Sequence, residues 1–123
     1  MPGVLIYNQM VVDQLQDREA DLVFHAMADA TRRDILARVG KTEESVSALS
    51  RRYEMSFAAV QKHVAVLERA RLVRKERRGR EQIVHADTVT LRRAIDLLGA
   101  YEQVWIKRAG QIGDLLAEER DGR

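Results

Sequence analysis

Met55-Ser56-Phe57-Ala58-Ala59-Val60-Gln61-Lys62-His63-Val64-Ala65-Val66-Leu67-Glu68 decides the reading of this chain. Ser56 is of the residue type that caps helix N-termini, because its hydroxyl accepts from an amide in the first turn. Val60, Val64 and Leu67 recur at i, i+4 and i+7, so the spacing predicts a helix from Phe57 to about Ala70 with one buried stripe. The opposite side carries Ala58, Gln61, Lys62, Ala65 and Arg69. Small side chains there let a backbone come close to another surface, and Gln61 and Lys62 reach out with donors and acceptors. A helix lying in the major groove of DNA needs such a thin, hydrogen-bonding face. A plain surface helix can show the same polar pattern, so the flanking sequence has to weigh in.

On the N-terminal side, Ser47 is a candidate cap for a short helix burying Leu49 and Tyr53. Asp29 or Thr31 caps a helix with Ile35, Leu36 and Val39 inward, and Gly40 ends it. Asp21 begins another, with Val23, Phe24 and Met27 as its apolar positions, and Met10, Val11 and Leu15 line a first helix. On the C-terminal side, Leu72–Glu76 and Glu81–His85 read as two short strands joined through Arg77-Arg78-Gly79-Arg80. Gly79 supplies the unusual backbone angles of a tight turn. The expected hairpin carries three arginines at its tip, a chemistry suited to phosphates or a minor groove. The fold class is therefore mainly α with a small β-hairpin.

The last stretch repeats Leu91, Ile95, Leu98, Tyr101, Trp105, Ala109, Ile112 and Leu116 at steps of three and four. A helix from Thr88 to Glu118 is longer than so small a domain needs, and Gly99, Gly110 and Gly113 are places where it can break or bend. Such a stripe packs either on the first helix or on a second copy of the chain. The expected dimer interface comprises Met10, Leu15, Leu91, Ile95, Leu98, Tyr101, Trp105, Ile112 and Leu116.

Composition bounds the partner. The chain has 123 residues, 46% of them hydrophobic and 33% charged, with one proline and no cysteine. That is the size of one domain, and a small one gains from an oligomer interface. Disulfides and thiolate metal sites are excluded. No run approaches a membrane span, and Val4–Ile6 is too short for a signal peptide, so a cytoplasmic protein without membrane association is expected. The net charge of +2 is uneven: residues 51–80 hold ten Lys/Arg against three Asp/Glu. An island of positive charge suits a polyanion, because neutralised phosphates release counterions.

With these elements in order, the chain resembles the ArsR-type (ArsR/SmtB) winged helix-turn-helix repressors. Val23-Phe24-His25-Ala26-Met27-Ala28-Asp29-Ala30-Thr31-Arg32-Arg33-Asp34-Ile35-Leu36 is similar to the family's ALADPTRRxIL signature. The stretch quoted first is similar to MSxxAVSKHLxVLE, and Ala70-Arg71-Leu72-Val73 leads into an arginine-rich wing. Gln61 stands where serine is frequent, and Ala30 replaces a frequent proline. The resemblance implies a homodimer that binds a pseudo-palindromic operator in double-stranded DNA and represses by occupancy, released by a ligand or a metal. On it, residues 20–86 form a DNA-binding core, flanked by dimerisation segments 1–18 and 88–118 within a single domain. The expected DNA-contacting residues are Ser56, Phe57, Ala58, Ala59, Gln61, Lys62, His63, Arg69, Arg77, Arg78 and Arg80.

A metal is not expected. Ser45-Val46-Ser47-Ala48-Leu49-Ser50 has no cysteine where relatives sense metals, the last helix has no histidine, and His25, His63 and His85 are scattered. Catalytic motifs and phosphate loops are likewise missing, so neither an enzyme nor a cofactor is expected. Two other readings stay open. Trp105, Tyr101 and Tyr7 can line an apolar pocket for a small-molecule effector, and a winged helix can serve protein interaction alone.

Overall fold

The computed structural model describes residues 17–121, with side chains described through Glu119. Helix α1 (Asp17–Met27) and helix α2 (Ala30–Lys41) lead to a two-residue strand β1 (Glu44–Ser45) and a short helix α3 (Val46–Ser50). Helix α4 (Phe57–Arg69), strands β2 (Val73–Arg78) and β3 (Glu81–Ala86) and a 34-residue helix α5 (Thr88–Asp121) follow. The expected helix through Met10, Val11 and Leu15 lies outside the described residues.

Side-chain caps set the starts of the middle helices. Asp29 accepts from the Arg32 amide at 3.0 Å and starts α2, so the loss of proline at position 30 does not move the helix start. Ser45, not Ser47, caps α3 by accepting from Ala48. Ser47 lies inside the helix, two residues beyond the cap. Gly40 also lies inside its helix, and α2 runs on to Lys41. Helix α1 begins at Asp17, with Asp17 and Glu19 favouring its N-terminal dipole, four residues before the Asp21 expected as its start.

Ser56 accepts from the Ala59 amide at 3.1 Å and opens α4. The helix closes with Leu72 N–H donating to Leu67 O at 3.0 Å and Arg71 N–H to Glu68 O at 2.9 Å. This is the Schellman pattern, and it puts Arg71 in the left-handed region at φ +61°.

Helix α4 runs through the centre of the core. Val60, Val64 and Leu67 are fully buried, against Ile35 and Val39 of α2, Leu49 of α3 and Val23 of α1. Leu72, Val73 and Val84 close the core from the hairpin side, and Ala94 and Leu97 from α5. The sheet is antiparallel in the order β1-β3-β2, so β3 is its centre strand and both Ile83 and Val84 are buried. The third strand has no counterpart in the sequence reading. Pairing runs Arg78↔Glu81 at the tip to Val73↔Ala86 at the base, one or two residues beyond the expected strand ends. Gly79 at φ +65° takes the first central position of a two-residue turn, as a type II′ hairpin requires.

Helix α5 is continuous through Gly99, Gly110 and Gly113. Among the described residues, its buried side chains all lie in its first turns. Thr90, Ala94 and Leu97 point inward, and Leu91 is half-buried on the core. No helix among the described residues is long and apolar enough to cross a membrane.

Candidate nucleic-acid interface

The exposed side of α4 follows from its buried side. With Val60, Val64 and Leu67 inward, Ala58, Gln61, Lys62, Ala65 and Arg69 stand outward. Ser56 and Phe57 are exposed at the helix start, and Ala59 is half-buried. Arg69 lies two turns beyond Gln61 and lines a separate cleft with Arg18 and Arg71.

His63 is held from behind. Arg32 donates to Ala26 O at 2.8 Å and His25 O at 3.1 Å, and its Nη1 lies 3.2 Å from His63 Nδ1. A guanidinium only donates, so Nδ1 of the neutral ring is the acceptor and the ring proton is assigned to Nε2. Asp29 completes the group at 3.9 Å from Nδ1. Its carboxyl is held below the usual range by the Arg32 amide, and further by the Arg32 charge. Arg32 thereby joins the α1–α2 turn to the middle of α4. The Arg32 side chain is thus committed inward.

The hairpin arginines do not share one environment. Arg77 and Arg78 belong to β2 and only Arg80 stands in the turn. Arg78 donates to Glu43 at 2.8 Å and to Glu76 at 2.7 Å, so its fork is occupied. Arg77 and Arg80 have no ion pair among the described residues, and both are exposed. His85 sits between the same two carboxylates, with Nδ1 3.1 Å from Glu43 and Nε2 2.9 Å from Glu76. Arg78 pulls the Glu43 carboxyl down from its ordinary pKa, and His85 followed by Arg78 does the same for Glu76. Glu43, Glu76 and His85 lie close enough together to suggest a cation site. Their atoms are spent on one another instead, and the Arg78 guanidinium already supplies the positive charge. The cluster ties the hairpin to the segment before β1.

A second polar group braces the turn before α4. Tyr53 donates to Asp34 at 2.5 Å, and Arg38 donates to the same carboxylate at 2.8 Å. Asp34 is lowered by Tyr53 first and Arg38 second, while burial and the Asp34 contact push Tyr53 up to about 12. Arg52 adds a forked pair to Glu44 at 2.6 and 3.0 Å.

Of the residues expected to pair two copies, Met10 and Leu15 lie outside the described residues, as does Tyr7. Ile95, Leu98, Tyr101, Trp105, Ile112 and Leu116 are all exposed, Trp105 at 77%. Val89, Ile106 and Leu115 are also exposed and were missed: Val89 lies on the opposite side of the helix, and Ile106 and Leu115 flank the stripe. A shallow groove of about 410 Å³ at Val104, Trp105, Arg108 and Ile112 lies on this face.

A helix-turn-helix domain family matches residues 27–76. Among solved structures, an ArsR-like transcriptional regulator from Rhodococcus sp. RHA1 is 31% identical, with a TM-score of 0.70, over 80% of this chain and 92% of that one. HlyU from Vibrio cholerae is 29% identical, with a TM-score of 0.57, over 68% and 94%. A homodimeric winged helix-turn-helix DNA-binding domain from Mycobacterium bovis shares the fold at 22% identity and a TM-score of 0.57, over 71% and 82%. No curated protein matches the chain.

Proposed function

The chain belongs to the ArsR-type family of winged helix-turn-helix transcriptional regulators, and from that premise we propose that it is a repressor that occupies a pseudo-palindromic operator as a homodimer. DNA binding and regulation come with the family; the operator, the dimer and the direction of control are our reading. The observation that carries it is the outward face of α4. Ala58 and Ala65 keep that face thin, Gln61 and Lys62 supply its hydrogen-bonding groups, and Arg77 and Arg80, exposed on the hairpin and without an ion pair among the described residues, add positive charge. His63 offers Nε2–H to a phosphate, Ser56 and Phe57 flank the entry of the helix, and Ala59 packs behind. In this reading Arg78 braces the wing and Arg69 lies too far along α4 to read bases.

The dimer reading rests on the uncovered apolar face of α5, which covers most of its length. In the same reading residues 20–86 bind DNA while 1–18 and 88–118 pair the copies, and the two α4 helices enter major grooves ~34–36 Å apart. An M. bovis relative of the same fold is a homodimer, which agrees with this arrangement.

The test is a gel shift on genomic fragments over a range of salt, with the bound fragments sequenced. Enrichment of a dyad sequence is expected. Gln61→Ala should change which bases are preferred, whereas Arg80→Ala should weaken all duplexes alike and reduce the salt slope by about one. Equal losses on specific and random duplex for Gln61→Ala would count against base reading by this face.

A further inference from the structure

We propose that the cleft where the start of α1, the end of α4 and the start of α5 meet binds a small phosphorylated or carboxylated molecule that also bears a hydroxyl or ammonium group. The site stands apart from the DNA-reading face, and only its regulatory meaning rests on the DNA-binding reading. Arg18 from the start of α1 and Arg69 and Arg71 from the end of α4 line one cleft of about 350 Å³, with Glu19 and Thr90. None of these three arginines has a carboxylate partner among the described residues. Arg38, Arg52, Arg78 and Arg93 all do.

Three arginines around a single carboxylate leave an excess of like charge, which is unfavourable. The C-terminal dipole of α4 accounts for Arg69 and Arg71. It does not account for Arg18, which stands in the first turn of α1, where that helix's dipole repels a cation. Arg71 also occupies a left-handed backbone position, at φ +61°, where glycine or asparagine fits with least strain. Glu19 brings the complementary feature. Its buried Oε2 accepts no hydrogen bond among the described residues and lies 3.8 Å from Arg93 Nη1, beyond hydrogen-bond reach.

These groups define the ligand's chemistry. Guanidinium forks recognise the oxygens of phosphate or carboxylate through paired charge-assisted bonds. Glu19 calls for a donor on the same molecule, and the Thr90 side chain closes the floor of the cleft. The ligand would hold the end of the recognition helix to the beginning of the long helix, the two elements whose relative position the operator would read.

Full-length protein titrated with O-phosphoserine and with inorganic phosphate tests the site, by calorimetry and by amide chemical shifts. One molecule per chain is expected, with O-phosphoserine the tighter and the shifts centred on Arg18, Glu19, Arg71 and Thr90. Arg71→Gly, which relieves the left-handed strain, and Arg18→Gln should each weaken O-phosphoserine roughly tenfold or more. Glu19→Gln should bring it down to the level of phosphate. Absence of saturable binding by both probes, or unchanged binding in both arginine variants, overturns the proposal. So does a result in which neither probe binds and the arginine variants lose affinity for random duplex, since the arginines then serve the DNA backbone. Failure of the DNA-binding reading would look different: no duplex is retarded by the wild type, and the ligand titrations are unaffected.

Discussion

Arg32 is a single side chain on which two elements depend. Its bonds to Ala26 O and His25 O close the α1–α2 turn, and its third contact sets the His63 ring on α4. Arg32→Gln should destabilise the fold by about 1–3 kcal/mol, the cost of leaving partly buried carbonyls unpaired. Urea denaturation measures this, and a loss under about 0.5 kcal/mol would mean that water replaces the guanidinium without penalty. The carboxylates at the wing base make a second residue-level prediction. Glu43 and Glu76 have folded values below the ordinary 4.5, so their contribution is present above that value and is lost as pH falls through the lower folded values. Below about pH 4.5, amide protection in β2 and β3, relative to the intrinsic exchange rate at that pH, should fall before protection in α4 does. Simultaneous loss in both would show that the cluster does not govern the wing.

The central helix was legible element by element in the sequence, and its neighbours less so. Ser56 and the Val60, Val64, Leu67 period act within one element, and the folded helix keeps both. Strand β1 was invisible because two residues carry no period. Its consequence, the tie from Glu43 to Arg78 across 35 residues, is a long-range contact that no local spacing encodes. Capping by Ser45 instead of Ser47 has the same origin, since both are good caps and the core position of Val46 and Leu49 chooses between them. In α5 the stripe of threes and fours was real, but the chain core takes Ala94 and Leu97, leaving Ile95 and Leu98 outside. The three glycines of α5 do not interrupt it. A Cβ at Gly110 meets no atom within 4 Å. Gly110→Ala should therefore raise stability by roughly 0.5–1 kcal/mol through backbone entropy alone. A thermal melt that moves downward instead would indicate that this position is covered by something outside the chain.

At the scale of the whole molecule, positive charge and apolar surface occupy different ends. Residues 51–80 carry the excess positive charge, while the far half of α5 is exposed and rich in large apolar side chains. The candidate site was legible as far as its helix face, because that face is the complement of a buried stripe. Which arginines are free was not, because it depends on partners brought by other elements. Trp105→Glu should convert a dimer to a monomer in analytical ultracentrifugation and weaken DNA binding by removing one of two anchored half-sites. A monomeric wild type, or a variant that still dimerises, would remove α5 as the interface. The same variant should leave the core's urea midpoint nearly unchanged, since Trp105 touches nothing buried.

The free length of α5 has one more consequence. From Trp105 to Glu119 its side chains are exposed, and an isolated helical segment of that size is marginal in water. In the proposed dimer its order is tied to finding a second copy, which makes helicity a function of protein dose. Circular dichroism should show helix content rising with concentration over the range in which copies associate. In a cell, abundance would then enter the response twice, once in filling the DNA and once in completing the molecule that fills it. Control by such a protein would switch on steeply as synthesis crosses a level, rather than in proportion to it.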